Sequence, residues 1–170
     1  MAHGMDDLIS RARAGDADAF ASLVAEHGAD VLRLCTVITT DPTLAEDAAQ
    51  NAWRQVWRRL STVRDSGSFR AWLLRVAANE AKQVLRRNQR HAALRLDTAR
   101  EVAGSADPGE SADVRAALRT LAPADRELVA WRYVLGMNSV EIGLQIGLSP
   151  EGVRSRLKRI RDQLRKELDK

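Results

Sequence analysis

The chain has 170 residues, 45% of them hydrophobic and 29% charged, with a formal net charge of +4, which suits a soluble globular protein of one large or two small domains. No apolar run approaches the roughly 18 residues of a membrane-spanning helix, and the start MAHGMDD lacks the basic and apolar segments of a secretion signal, so a cytoplasmic protein is expected. A lone cysteine and three scattered histidines leave no metal constellation. With no phosphate-cradling glycine loop, no Gly-x-Ser-x-Gly elbow and no His-containing triad, neither an enzyme nor a cofactor is expected.

In chain order, Asp6 to Arg13 is predicted as a short helix ending near Gly15. Asp16 caps a second helix that turns Phe20, Leu23 and Val24 inward and closes at Gly28. His27, near that end, is expected at the surface, where a helix C-terminus favours it. Val31, Leu32, Leu34, Cys35, Val37 and Ile38 form a third helix, stopped by Thr39-Thr40-Asp41-Pro42, with Cys35 as a small buried apolar residue. Thr43 to Leu60 is one long helix with two faces. Its alanines permit close packing, while Trp53 and Trp57, at i and i+4, stand beside Asp47, Gln50, Asn51 and Arg54 as a half-exposed docking face.

Residues 61 to 68 are a loop by composition, and Ser68 is placed as the cap of a helix from Phe69 to Arg90. The apolar positions of that helix keep helical period. Its other side and its tail carry Arg75, Lys82, Arg86, Arg87 and Arg90 with almost no opposing acid, a composition suited to a phosphate backbone. Residues 91 to 112 lose the pattern and are predicted as a flexible linker, giving domains at 1 to 90 and 113 to 170. The charge follows this division: residues 1 to 50 are net −6, 51 to 100 net +9, 101 to 112 net −3 and 113 to 170 net +4, so two basic blocks flank an acidic spacer.

The second domain opens with a helix from about Ser111 to Leu121, breaks at Pro123 and continues as a helix to about Leu135 with Leu128, Val129, Trp131 and Val134 inward. Ser139 to Leu168 then form a helix-turn-helix. Val140, Ile142, Leu144 and Ile146 make its short first helix, Gly147 supplies a left-handed turn, and Ser149 and Pro150 give an N-cap and an N1 proline. Along the second helix Val153, Leu157, Ile160, Leu164 and Leu168 form an inward stripe, while Arg154, Ser155, Lys158 and Arg159 face outward. In such a motif the second helix lies in the major groove, where Arg and Lys reach guanine edges and phosphates. The fold class is therefore all-α, two small helical domains joined by a linker. DNA is the expected ligand.

The two halves, in this order, resemble bacterial RNA polymerase sigma factors of the extracytoplasmic-function group. The resemblance rests on Asp18-Ala19-Phe20, on Ala45-Glu46-Asp47-Ala48-Ala49-Gln50 with Trp53 and Trp57, and on Phe69-Arg70-Ala71-Trp72-Leu73 and Ala78-Asn79 ahead of Arg86. In the second half it rests on Leu118 to Pro123, Glu141-Ile142, and Val153-Arg154-Ser155-Arg156-Leu157 with Arg161. Gly152 departs from a common Thr and Gly143 from a usual Ala.

This resemblance implies that Asp47, Gln50, Asn51, Trp53 and Trp57 dock on the clamp helices of the polymerase core. It implies that Val63, Arg64, Val76, Asn79, Lys82, Arg86 and Arg87 hold the melted minus-ten element, one base of it flipped out of the stack. It implies that Arg154, Ser155, Lys158 and Arg159 read the minus-thirty-five element. An anti-sigma factor is a further partner that the resemblance brings, although no residue identifies one. Residues 91 to 112 can extend to about 70 Å, about two turns of duplex, so the domains can reach two separated elements. The alternative function is a stand-alone helix-turn-helix regulator with a helical sensing domain, which would have no need of the Asp47 to Trp57 face.

Overall fold

The computed structural model describes residues 2–62, 68–94 and 110–169, and among them every regular element is a helix. The first half comprises α1 (Ala2–Arg13), α2 (Ala17–Thr39), α3 (Pro42–Arg59), a 3₁₀ turn (Leu60–Thr62) and α4 (Phe69–Leu94). The second comprises α5 (Glu110–Arg119), α6 (Pro123–Val129) running on into a π turn (Ala130–Val134), α7 (Ser139–Ile146) and α8 (Pro150–Leu168). The fold is all-α, with a helix-turn-helix in its second half.

Local chemistry sets the helix ends. Asp16 caps α2 by accepting from the backbone N–H groups of Asp18 and Ala19, and Arg11 grips the same side chain at 2.8 and 2.6 Å. Those donors hold the Asp16 carboxyl below its ordinary range, the Ala19 N–H first and the Arg11 guanidinium next. At the far end Thr40 adopts φ 58°, and Asp41 with Pro42 at N1 starts α3.

Gly28 does not end a helix: α2 runs unbroken for 23 residues from Ala17 to Thr39. A glycine in a helix interior costs only about 1 kcal/mol against alanine. Ala19, Leu23, His27, Val31, Leu34, Cys35 and Ile38 are buried along one stripe that crosses it, and each large apolar side chain so buried contributes about 1.5 to 3 kcal/mol. Burial therefore wins. With the helix continuous, His27 lies in its middle rather than at a C-terminus. It is 9% exposed, its ring centroid 5.7 Å from that of Phe69, and its Nε2 has no hydrogen-bond partner.

α2 packs against both α3 and α4, and α3 against α4. Ala45, Ala48 and Ala52 let the backbones approach, and Leu34, Ile38, Val56, Leu73, Leu74, Ala77, Ala78 and Ala81 fill the space between them. Cys35 is wholly buried, and burial followed by the charge of Glu80 pushes its thiol up to about 12, so it packs as an apolar residue. Buried Glu80 on α4 accepts from Gln55 Nε2 on α3, tying the two helices together.

In the second half Trp131 is the fully buried anchor, and its indole Nε1 donates to Glu127 Oε1 at 3.4 Å. The helix-turn-helix forms with the turn chemistry read from the sequence: Gly147 at φ 72°, Ser149 accepting from Gly152 N–H at 3.1 Å, and Pro150 at N1. Asn138 adds a capping box, exchanging hydrogen bonds with Glu141. One position differs from expectation. Leu168 is 52% exposed in the last turn of α8, beyond the hydrogen bond that Gln163 donates to the Thr120 carbonyl. In α7 Ile142 and Gly143 are buried, while Val140 and Leu144 stand outward at 55% and 75% exposure. The predicted linker is trimmed at both ends, since α4 continues to Leu94 and α5 begins at Glu110, and its residues 95–109 lie outside the described ones.

Candidate docking groove and nucleic-acid interface

The docking face on α3 forms one wall of a groove of about 660 Å³ whose other wall is α2. Trp53 and Trp57 sit astride Phe20, with ring centroids 5.8 and 4.7 Å away, both edge-on, so the tryptophans are fixed in orientation rather than free on the surface. Trp57 remains 42% exposed and Leu32, on the α2 side, 41%. The groove is predominantly apolar, lined also by Val24 and Ala49, with Glu46, Gln50 and Arg54 among its polar lining residues. Arg54 donates to Gln50 Oε1 at 2.9 Å and to Asn51 Oδ1 at 3.0 Å, which orients both amides along the rim.

Of the residues singled out on this helix, Gln50, Trp53 and Trp57 line the groove, whereas Asp47 and Asn51 lie outside its lining, Asp47 exposed. The α2 wall of Phe20, Val24 and Leu32 was missed by sequence reasoning, which turned Phe20 and Val24 inward and put Leu32 on a separate helix. Their spacing of four, 20–24–28–32, was the available signal, and the assumed break at Gly28 hid it.

On α4, Arg75, Asn79, Lys82 and Arg86 recur at spacings of 4, 3 and 4 and so share one row. Arg86 and Arg87 are exposed and Val76 is half-buried against the core. Val63 and Arg64, the loop residues of the same predicted surface, lie outside the described residues. Asn79 is exposed and Lys82 half-buried. They line a cleft of about 400 Å³ closed on its far side by Ala124, Glu127, Leu128, Gln145, Ile146 and Leu148 of the second half. Lys82 Nζ meets Glu127 Oε2 at 2.8 Å, and Arg75 donates to Gln145 Oε1 at 3.0 Å and to the Leu144 carbonyl at 3.3 Å.

On α8, Arg154, Ser155, Lys158 and Arg159 are all exposed on the outward side. Arg154 is steadied by Glu151 at 2.6 Å, one turn back, and Arg159 lies 3.8 Å from Asp125. Arg156 differs from its neighbours: it turns inward and donates to Asp125 at 2.6 Å. A cationic helix face with a capped start fits the major groove of a duplex. Among the described residues no three His, Cys, Asp or Glu side chains converge as a metal site requires, and no helix is long and apolar enough to cross a membrane.

Two family descriptions match the chain: Sigma-70 region 2 over residues 23–91 and Sigma-70 region 4 over residues 111–164. Among curated proteins it is 34% identical to the RNA polymerase sigma factor CarQ of Myxococcus xanthus, over 94% of this chain and 95% of that one. It is 33% identical to the ECF RNA polymerase sigma factor SigE of Mycolicibacterium smegmatis, over 87% of this chain and 61% of that one. It is also 33% identical to the probable RNA polymerase sigma factor RfaY of Xanthomonas campestris over 94% of this chain, and there it spans only 43% of the relative's length. The solved structure of CnrH, in complex with the cytosolic domain of CnrY, superposes with a TM-score of 0.74 at 28% identity, covering 98% of this chain and 97% of that one. With region 2 ahead of region 4 on an all-helical fold, the chain belongs to the extracytoplasmic-function group of RNA polymerase sigma factors.

Proposed function

We propose that this sigma factor binds the RNA polymerase core through the α2–α3 groove and directs promoter-specific initiation, with no catalytic centre of its own. The observation that carries this reading is the apolar groove, with Trp53 and Trp57 half-exposed and held against Phe20. Such aromatic anchors with a polar rim are what a protein partner buries. Gln50 and Asn51 on the rim, aligned by Arg54, would exchange hydrogen bonds with the clamp helices of the largest subunit, and Asp47 would supply a charge beside them.

In this reading residues 1–90 form the core-docking and strand-holding domain, 91–112 the linker and 113–170 the duplex-reading domain. Val63, Arg64, Val76 and Asn79 take a base flipped from the minus-ten element, and Lys82, Arg86 and Arg87 follow the strand's phosphates. Arg154, Ser155, Lys158 and Arg159 read the minus-thirty-five element. Joining the two DNA contacts through one chain makes the second intramolecular, so two weak interactions give a usable one. CnrH is in complex with the cytosolic domain of CnrY in its solved structure, and an anti-sigma factor is proposed as a partner here as well.

The experiment is run-off transcription with purified polymerase core on a promoter obtained by selection with this protein. Transcripts that depend on the added chain are the expected result. A chain that never joins polymerase yet occupies operators alone with full affinity would be a stand-alone regulator instead.

A further inference from the structure

The outward face of α8 is not wholly cationic. Glu151 stands one helical turn ahead of Arg154 and Ser155 and two turns ahead of Lys158, so it shares their face and occupies its N-terminal end, the end from which a recognition helix meets base edges. Its side chain is exposed, and Oε1 accepts from a terminal nitrogen of Arg154 at 2.6 Å. Its neighbours in the first turn offer the groove no comparable group. The Ser149 hydroxyl accepts from the Gly152 N–H, the Pro150 side chain has no polar atom, and Gly152 has no side chain.

Stability does not explain this placement. The two side chains are 56% and 85% exposed, so water and salt screen the pair. An acid in the first turn suits the helix dipole, but that effect does not depend on which side of the helix the acid occupies. On the side that approaches a polyanion, a carboxylate weakens binding to every duplex alike unless it meets a donor on a base edge. The major groove offers two such donors, cytosine N4 and adenine N6. Adenine sets its N7 acceptor beside the amino group, and guanine and thymine present the acceptors O6, N7 and O4, all of which repel a carboxylate. Cytosine offers its amino group alone.

We propose that Glu151 is a specificity-determining residue of the upstream-element contact: it accepts from cytosine N4 and holds Arg154 so that the remaining N–H donors of the guanidinium take guanine O6 and N7 in the adjacent base pair. Three residues of helix rise about 4.5 Å, close to one base step of about 3.4 Å, so the two heads fall on neighbouring pairs. The upstream element thus contains a guanine and a cytosine at consecutive positions, read by one ion pair.

The assignment rests on the duplex-reading role of α8, and one experiment separates the two. The full chain is assembled with polymerase core, and promoters are selected from a library randomised over the upstream element with the minus-ten half held constant. The wild type should return neighbouring guanine and cytosine columns. Glu151→Gln, which pairs in bidentate fashion with adenine N6 and N7, should move the cytosine column to adenine. Glu151→Ala should flatten that column, lowering the preference for cytosine about tenfold, while columns outside the two positions hold. A wild-type library without a cytosine column, a cytosine column unaltered in both variants, or an even weakening of all columns overturns the assignment. Arg154→Ala then decides how far the failure reaches. If it erases the guanine column while the Glu151 variants change nothing, α8 reads the duplex without Glu151; if it too leaves every column intact, the duplex-reading role of α8 falls as well.

Discussion

Arg156 Nε donates to Asp125 Oδ1 at 2.6 Å, fastening the inner face of α8 to the start of α6. The outward cations of the same helix stay exposed, so one Arg of the Arg154-Ser155-Arg156 run holds two helices together and its neighbour two positions back does not. The two side chains are 30% and 14% exposed, which makes the pair stronger than a surface ion pair but weaker than a fully buried one. Asp125→Ala should therefore cost about 1 to 3 kcal/mol of stability, read as a lower urea midpoint. Arg159, near the same carboxylate, gives Asp125 a second cation to lose.

Gly143 is buried in α7 with the Leu148 carbonyl oxygen pressed against the place where a Cβ would stand. The obstacle is backbone, so it cannot swing aside. Gly143→Ala is expected to destabilise the helix-turn-helix by about 1 to 3 kcal/mol and to weaken duplex binding with it. Gly152→Ala, whose Cβ would meet the Ser149 hydroxyl at 3.2 Å and the Leu148 side chain at 4.0 Å, should be far milder, and thermal melts of the two variants check this.

The division of labour between the two faces predicts opposite phenotypes. Gln50→Ala combined with Trp53→Ala should abolish capture of polymerase core and leave duplex binding intact, and exposed Trp57→Ala should weaken capture without loss of fold. Arg154→Ala should weaken the upstream element alone by about 1 to 3 kcal/mol. Pull-down with core and gel-shift with duplex, run side by side, check this, and equal losses in both assays for each variant would reject it.

His27 supplies a pH dependence. Burial holds its imidazole below the usual histidine range, with Arg70 adding to the effect and Glu26 and Asp30 opposing it. A depressed pKa means the unfolded chain takes up the proton first, starting near about pH 6.5. Stability is then greatest above that pH and declines as pH falls toward the folded value. Urea midpoints between pH 7.5 and 5.5 should show this slope. His27→Leu, which fills the site without an unpartnered nitrogen, should flatten it; a slope that persists in that variant would point to other groups.

The helix-turn-helix was legible because its information is local. Gly147, Ser149 and Pro150 each fix a backbone state within a few residues, and the stripe from Val153 to Leu164 needs only its own periodicity. The same kind of signal misled at Gly28, where a residue that often ends helices is overruled by side chains fifteen positions apart burying against one core. That error carried His27 to the surface and concealed the α2 wall of the groove.

By itself the sequence determined the class of fold, the tryptophan pair and the cationic face of α8, since each follows from spacing along single helices, and the order of the two regions through the resemblance that its motifs carry. Tertiary structure alone decided that Phe20 fixes the orientation of both tryptophans, that Arg156 faces inward while Arg154 does not, and that Glu127 reaches Lys82 from 45 positions away. These depend on how helices cross, and crossing is set by the summed burial of many weak apolar contacts, which no short stretch of chain encodes.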